Sequence, residues 1–78
     1  MESLLAEFND RIEESLWSAM RSLEEKAFLM RHMAAHFSEH DRQAAAEQLL
    51  KKAKGAEQRS ESIRKIVMTE RDVFSGLL

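Results

Sequence analysis

A chain of 78 residues with no Pro, two Gly and no Cys is short for a self-sufficient core and has no disulfides or thiolate metal ligands to compensate. It is 33% charged and 44% hydrophobic, which is typical of a single helical unit that a partner or a second copy completes. The net charge of −2 provides no basic field for nucleic acid or anionic lipid, and no apolar run approaches the roughly 18 residues of a membrane span. We therefore expect a cytoplasmic protein that binds neither nucleic acid nor membrane.

Helix 1 is predicted over about residues 3–37. Apolar or small residues recur there in steps of three and four, as on one face of an amphipathic helix. This stripe consists of Leu5, Phe8, Ile12, Leu16, Ala19, Leu23, Ala27, Met30, Ala34 and Phe37. Beside it lies a second apolar flank, formed by Trp17, Met20, Met33 and either Phe28 or Leu29.

Helix 2 is predicted over about residues 41–70, again from steps of three and four. Its stripe consists of Ala45 or Ala46, Leu49, Ala53, Ala56, Ser60, Ile63 and Val67. Gly55 lies inside this helix, where it is predicted to let another backbone come close. Gly76 is a stop signal, so residues 71–78 are predicted to form a flexible tail.

The connection "FSEHDR" is short and polar, which makes the helices antiparallel neighbours. Ser38 or Asp41 is predicted to cap helix 2 through its side chain. The charges favour lateral pairing as well, because residues 2–37 carry a net charge of −3 and residues 42–71 carry +4.

Two helices alone leave one flank of each apolar stripe exposed to water. The predicted fold is therefore all-α, with one domain over residues 1–78 that forms a long antiparallel helical hairpin and pairs into a four-helix bundle. Trp17 or Phe28 is predicted to fit against the small residues in the middle of helix 2. The predicted interface comprises Leu5, Phe8, Ile12, Leu16, Trp17, Met20, Leu23, Ala27, Met30, Phe37, Leu49, Ala53, Ala56, Ile63 and Val67.

Three histidines follow one another at intervals of one helical turn: His32, His36 and His40. Such spacing can chelate a divalent ion, but these positions lie nearly opposite the end of the apolar stripe, so a solvated helix face is the favoured interpretation. Two pairs of adjacent glutamates point about 100° apart and have no cleft to raise a pKa. No serine lies in a nucleophile motif. We therefore predict no metal, no cofactor and no catalytic residue.

Three segments resemble a known family: "ESLLAEF", "EESLWSAMRSLEEKAFLMRHMA" and "AAAEQLLKKAKGAEQRSESIRKIV". Together they are similar to the carboxy-terminal helical extension of CheB-type chemotaxis protein-glutamate methylesterases, over residues 2 to about 68. In that family the extension follows an esterase domain with a Ser-His-Asp site. This sequence lacks that domain, so the resemblance implies a chemotaxis-like signalling context and transfers no catalytic residue.

Two function classes remain open. The first is a non-catalytic homo-oligomerisation module of a signalling protein, with a dimer favoured. The second is an adaptor whose apolar stripe binds a helix of a different protein. An enzyme acting alone is the least favoured alternative.

Overall fold

The computed structural model describes the backbone of residues 2–77 and the side chains of residues 4–73. That part of the chain forms two helices, α1 at Glu2–Glu39 and α2 at Gln43–Leu77, and contains no strand. The helices pack along their length as an antiparallel hairpin with extents of 60 × 15 × 11 Å. The predicted all-α helical hairpin is therefore confirmed.

α2 ends later than the sequence indicates. Residues 71–77 continue the helix, so the predicted end near residue 70 is wrong. Gly76 does not adopt a positive φ, and without Pro nothing in this segment interrupts the backbone hydrogen bonds. Leu78, the last residue of the predicted tail, lies outside the described residues.

A left-handed residue ends α1 and starts the connection to α2. Asp41 has a φ of 58°, a conformation that Asp tolerates better than most residues. The Asp41 amide donates to the Ser38 carbonyl at 3.3 Å, and the Arg42 amide donates to the Phe37 carbonyl at 2.8 Å. These two hydrogen bonds define a Schellman motif. The Arg42 guanidinium lies 5.1 Å from the centre of the Phe37 ring. In many Schellman motifs these two positions make an apolar contact.

The predicted capping of α2 by Ser38 or Asp41 is therefore wrong. Ser38 is part of α1, and the backbone of Asp41 is used to end that helix. The two helix ends are joined instead by Gln43, whose Nε2 donates to Ser38 Oγ at 2.9 Å. The carbonyl of Arg42 accepts the first hydrogen bond of α2 from Ala46, so Arg42 is the cap residue.

The core between the helices is thin and consists mainly of alanine. Its buried apolar residues among the described side chains are Met20, Ala27, Ala34, Ala46, Ala53, Ala56 and Val67. Ala27, Ala53 and Ala56 form one alanine cluster, against which Leu23 and Met30 pack. Small side chains on both helices allow the helix axes to approach closely.

The large side chains predicted to meet this cluster are elsewhere. Phe28 is 67% exposed and Trp17 is only partly buried, whereas Leu23 and Met30 contact the cluster. Phe28 directly follows Ala27, which faces α2, and is therefore rotated about 100° away from the contact. The predicted close approach at Gly55 is also wrong within this chain, because a Cβ built there meets nothing within 4 Å.

Candidate interaction surface

One face of the hairpin carries ion pairs between the helices. Its three pairs join Arg31 to Glu57, Glu24 to Arg64 and Glu13 to Arg71. The three members on α2 are seven residues apart and therefore lie on one side of that helix. We call this side the ion-paired face. It realises the lateral charge pairing that the sequence predicts.

The ion pair at the open end of the hairpin includes an aromatic ring. Trp17 Nε1 donates to Glu13 Oε1 at 3.2 Å, and Arg71 donates to the same oxygen. The guanidinium groups of Arg64 and Arg71 each lie 5.8 Å from the centre of the Trp17 ring. Hydrogen bonds from Arg71 and Trp17 hold the pKa of the Glu13 carboxyl below its ordinary value, and the Glu13 hydrogen bond raises the pKa of Arg71.

A second network lies in the middle of the ion-paired face. Glu24 Oε1 accepts from Ser60 Oγ and from Arg64 Nη2, both at 3.1 Å. Ser60 is buried, so this bond satisfies a hydroxyl that burial would otherwise leave without a partner. These contacts set the relative positions of α1 and α2 through specific polar atoms.

The other face of the hairpin has no such pairs among the described side chains. In α1 it lies about 100° around the helix axis from the ion-paired residues. Leu5, Phe8 and Ile12 are 52%, 63% and 50% exposed there. We call this the open face, and its members are Leu5, Phe8, Ile12, Ala19, Lys26, Met30, Met33 and Phe37 on α1, with Gln48, Lys52, Gly55, Arg59, Ile63, Ile66 and Glu70 on α2.

A shallow depression of about 440 Å³ lies on the open face, nearer to the turn than to the helix ends. Met30 and Gly55 line it together with four cationic side chains, Lys26, Lys51, Lys52 and Arg59. These four cations form a basic patch on an otherwise mainly apolar surface. Farther from the turn, Glu70 lies beside Ile12, so the open face also carries a carboxylate.

The predicted interface residues fall into three groups in the structure. Five of them are buried between the helices of one chain: Met20, Ala27, Ala53, Ala56 and Val67. Seven are partly buried at the edges of this contact: Leu16, Trp17, Leu23, Met30, Phe37, Leu49 and Ile63. The remaining three, Leu5, Phe8 and Ile12, are exposed on the open face.

Ile66 is 51% exposed on the open face but is not among the predicted interface residues. It belongs to a stripe of α2 that is displaced from the buried one and runs through Lys52, Gly55 and Arg59. This stripe has helical spacing, but its members are mostly polar, so hydrophobic periodicity alone does not find it.

The histidines lie in and just after the last turns of α1. The rings of His36 and His40 are 4.4 Å apart, and His40 Nδ1 lies 2.8 Å from the His36 carbonyl. His32 stacks on Phe28. Within residues 4–73, no group of three potential ligands has the geometry of a metal site.

No helix of the described chain combines the length and the hydropathy needed to cross a membrane. Comparisons with protein-family models, with curated proteins and with solved structures found no match to this chain. The resemblance of residues 2–68 to the methylesterase extension therefore stays a prediction.

Proposed function

We propose that this chain is a non-catalytic helical interaction module of a cytoplasmic, chemotaxis-like signalling protein, and that its open face packs against a second copy. The observation that carries the proposal is the exposure of Leu5, Phe8 and Ile12, each at least half exposed. They follow one another in steps of three and four, so they form one contiguous apolar surface.

The asymmetry of the hairpin supports this choice of face. The ion-paired face uses its charges within the chain, where three pairs and the Trp17 network stabilise the contact between α1 and α2. On the open face, Leu5, Phe8 and Ile12 are exposed at helical spacing, and exposed contiguous apolar patches mark interaction sites. Burying this face would complete the core that two helices cannot enclose.

The size of the open face is sufficient for a specific dimer. A hairpin 60 Å long and 15 Å wide presents on the order of 900 Å² on one side, close to the roughly 800 Å² per partner of a standard interface. The resemblance to the helical extension of chemotaxis methylesterases supports the proposed signalling context. Dimerisation can be tested independently of that context.

Two phenylalanines of α1 provide a matched test. Phe8 lies on the open face and is 63% exposed, whereas Phe28 lies toward the ion-paired face and is 67% exposed. Sedimentation velocity over a range of concentrations would measure dimerisation of the wild type, Phe8→Glu and Phe28→Glu. Each dimer would bury two Phe8 rings at about 1.5 to 3 kcal/mol each, so Phe8→Glu should weaken dimerisation about 100-fold or more.

The control variant Phe28→Glu should leave the dimer affinity within about threefold of the wild type, since its ring stays in water in both states. If Phe28→Glu dissociates the dimer and Phe8→Glu does not, association uses the other face. A wild-type chain that remains monomeric at about 100 µM would exclude self-association and favour the adaptor function, in which the open face takes a helix of a different protein.

A further inference from the structure

The charges and side-chain sizes on the open face favour one orientation of two copies over the other, an inference that rests on the proposed function. Two hairpins can pack face to face around a two-fold axis in two ways. In the first arrangement both turns lie at the same end of the dimer, and α1 faces α2 of the second copy. In the second arrangement the turns lie at opposite ends, so α1 faces α1 and α2 faces α2 of the second copy. We propose that the dimer has its turns at opposite ends.

The arrangement with both turns at one end brings like charges together. It places equal heights of the two hairpins against each other, so Lys26 of one copy meets the Lys52 and Arg59 region of the other. Ile12 would face Glu70, because these two residues already lie at the same height within one chain. Like charges placed opposite one another across an interface oppose the association.

Turns at opposite ends separate the two basic patches. Each patch is centred roughly 20 Å from its own turn, so end-to-end overlap of two hairpins of this length leaves the patches about 20 Å apart. That separation exceeds the Debye length of about 8 Å at physiological ionic strength. The repulsion between the patches is then largely screened.

The same end-to-end overlap places oppositely charged residues of the two copies at the same height along the helices. With a rise of about 1.5 Å per residue, Lys52 of one copy lies at the height of Glu70 of the other. Both residues occupy the same side of α2, since 18 residues make five helical turns. The two-fold axis produces this pairing twice in each dimer.

The apolar side chains match in this register as well. Ile66 of one copy lies over the depression at Gly55 of the other, within about 2 Å along the helix, and the space beside Gly55 is empty in the single chain. On α1, Leu5 lies at the height of Phe37, and Phe8 at the height of Met33. The chain therefore carries on one face both the large side chains and the space that receives them.

A distance between the two turns distinguishes the arrangements. The chain contains no Cys, so Glu39→Cys provides a single attachment site for a nitroxide label in the last turn of α1, at an exposed position outside the open face. Double electron-electron resonance on this labelled full chain should give a distance of about 55 Å for turns at opposite ends.

A label distance below about 30 Å would overturn the proposed arrangement and leave the dimer, and with it the proposed function, intact. The absence of any dipolar distance in a chain that sediments as a monomer would overturn both. The two failures are therefore distinguishable in one sample.

Charge exchange tests the register itself. Lys52→Glu and Glu70→Lys should each weaken dimerisation on the order of 10-fold, because each places two like-charged pairs in the dimer. The double variant should recover most of the wild-type affinity. Lys54→Glu is the control, since Lys54 is exposed on another side of α2; equal losses in Lys54→Glu and Lys52→Glu, or no recovery in the double variant, would overturn the register.

Discussion

Replacement of Ala56 by Leu tests the close contact between the helices. Ala56 and Ala53 have 0% exposure, and both belong to one cluster with Ala27. A leucine adds three carbon atoms where the side chains already touch, so the helices must separate locally or the new side chain must leave its preferred rotamers. Overpacking of this kind costs about 1 to 3 kcal/mol. A protein of this size has a free energy of unfolding of about 4 to 12 kcal/mol, so the loss is large.

Urea unfolding followed by far-UV circular dichroism measures this loss. With a denaturant slope of about 1 kcal/mol/M, the midpoint should fall by about 1 to 3 M. All variants are compared at one protein concentration, because self-association makes the midpoint depend on concentration. Gln58→Leu adds a leucine at an exposed position of the same helix and should change stability by less than about 0.5 kcal/mol. An unchanged or higher midpoint for Ala56→Leu would refute the tight packing at the alanine cluster.

Three further predictions concern charge, backbone and metal. The lowered pKa of Glu13 stabilises the fold at pH values above the ordinary Glu pKa, and this stabilisation is lost as the pH falls through the lowered pKa. Arg71→Gln should therefore lower the urea midpoint at pH 7. The difference in urea midpoint between Arg71→Gln and the wild type should become smaller below pH 4. At protein concentrations where the chain is monomeric, Gly55→Ala should raise the free energy of unfolding by about 0.5 to 1 kcal/mol in thermal melts, since a Cβ there meets nothing within 4 Å in the single chain; a loss in the monomer would mean that another part of the same chain approaches Gly55. Because His32 and His36 are exposed without a third ligand among the described side chains, calorimetry should detect no Zn²⁺ binding tighter than about 10 µM, and a submicromolar site removed by His36→Ala would contradict this.

The buried side of α2 follows from the sequence because only one of its faces combines apolar and small residues at helical spacing. The predicted stripe contains Ala53, Ala56, Ser60 and Val67, all of which are buried. Periodicity also predicts both helices, and the short polar segment between them predicts the turn that makes them antiparallel. These features depend on interactions between residues three or four positions apart, which a sequence displays directly.

The buried side of α1 required the tertiary structure, because that helix has two adjacent apolar stripes. Met20, placed on the flank by periodicity, is almost fully buried, whereas Phe8 from the main stripe is exposed. Close approach to α2 is possible only where both helices carry small side chains, and the ion pairs then fix the rotation of α1 about its axis. The end of α1 depended on tertiary structure for a similar reason: Asp41 has the side chain of a helix cap, but its backbone forms the left-handed turn between the helices. The hydrophobic pattern indicates which residues are candidates for burial, and the steric fit between the two helices determines which of them are buried.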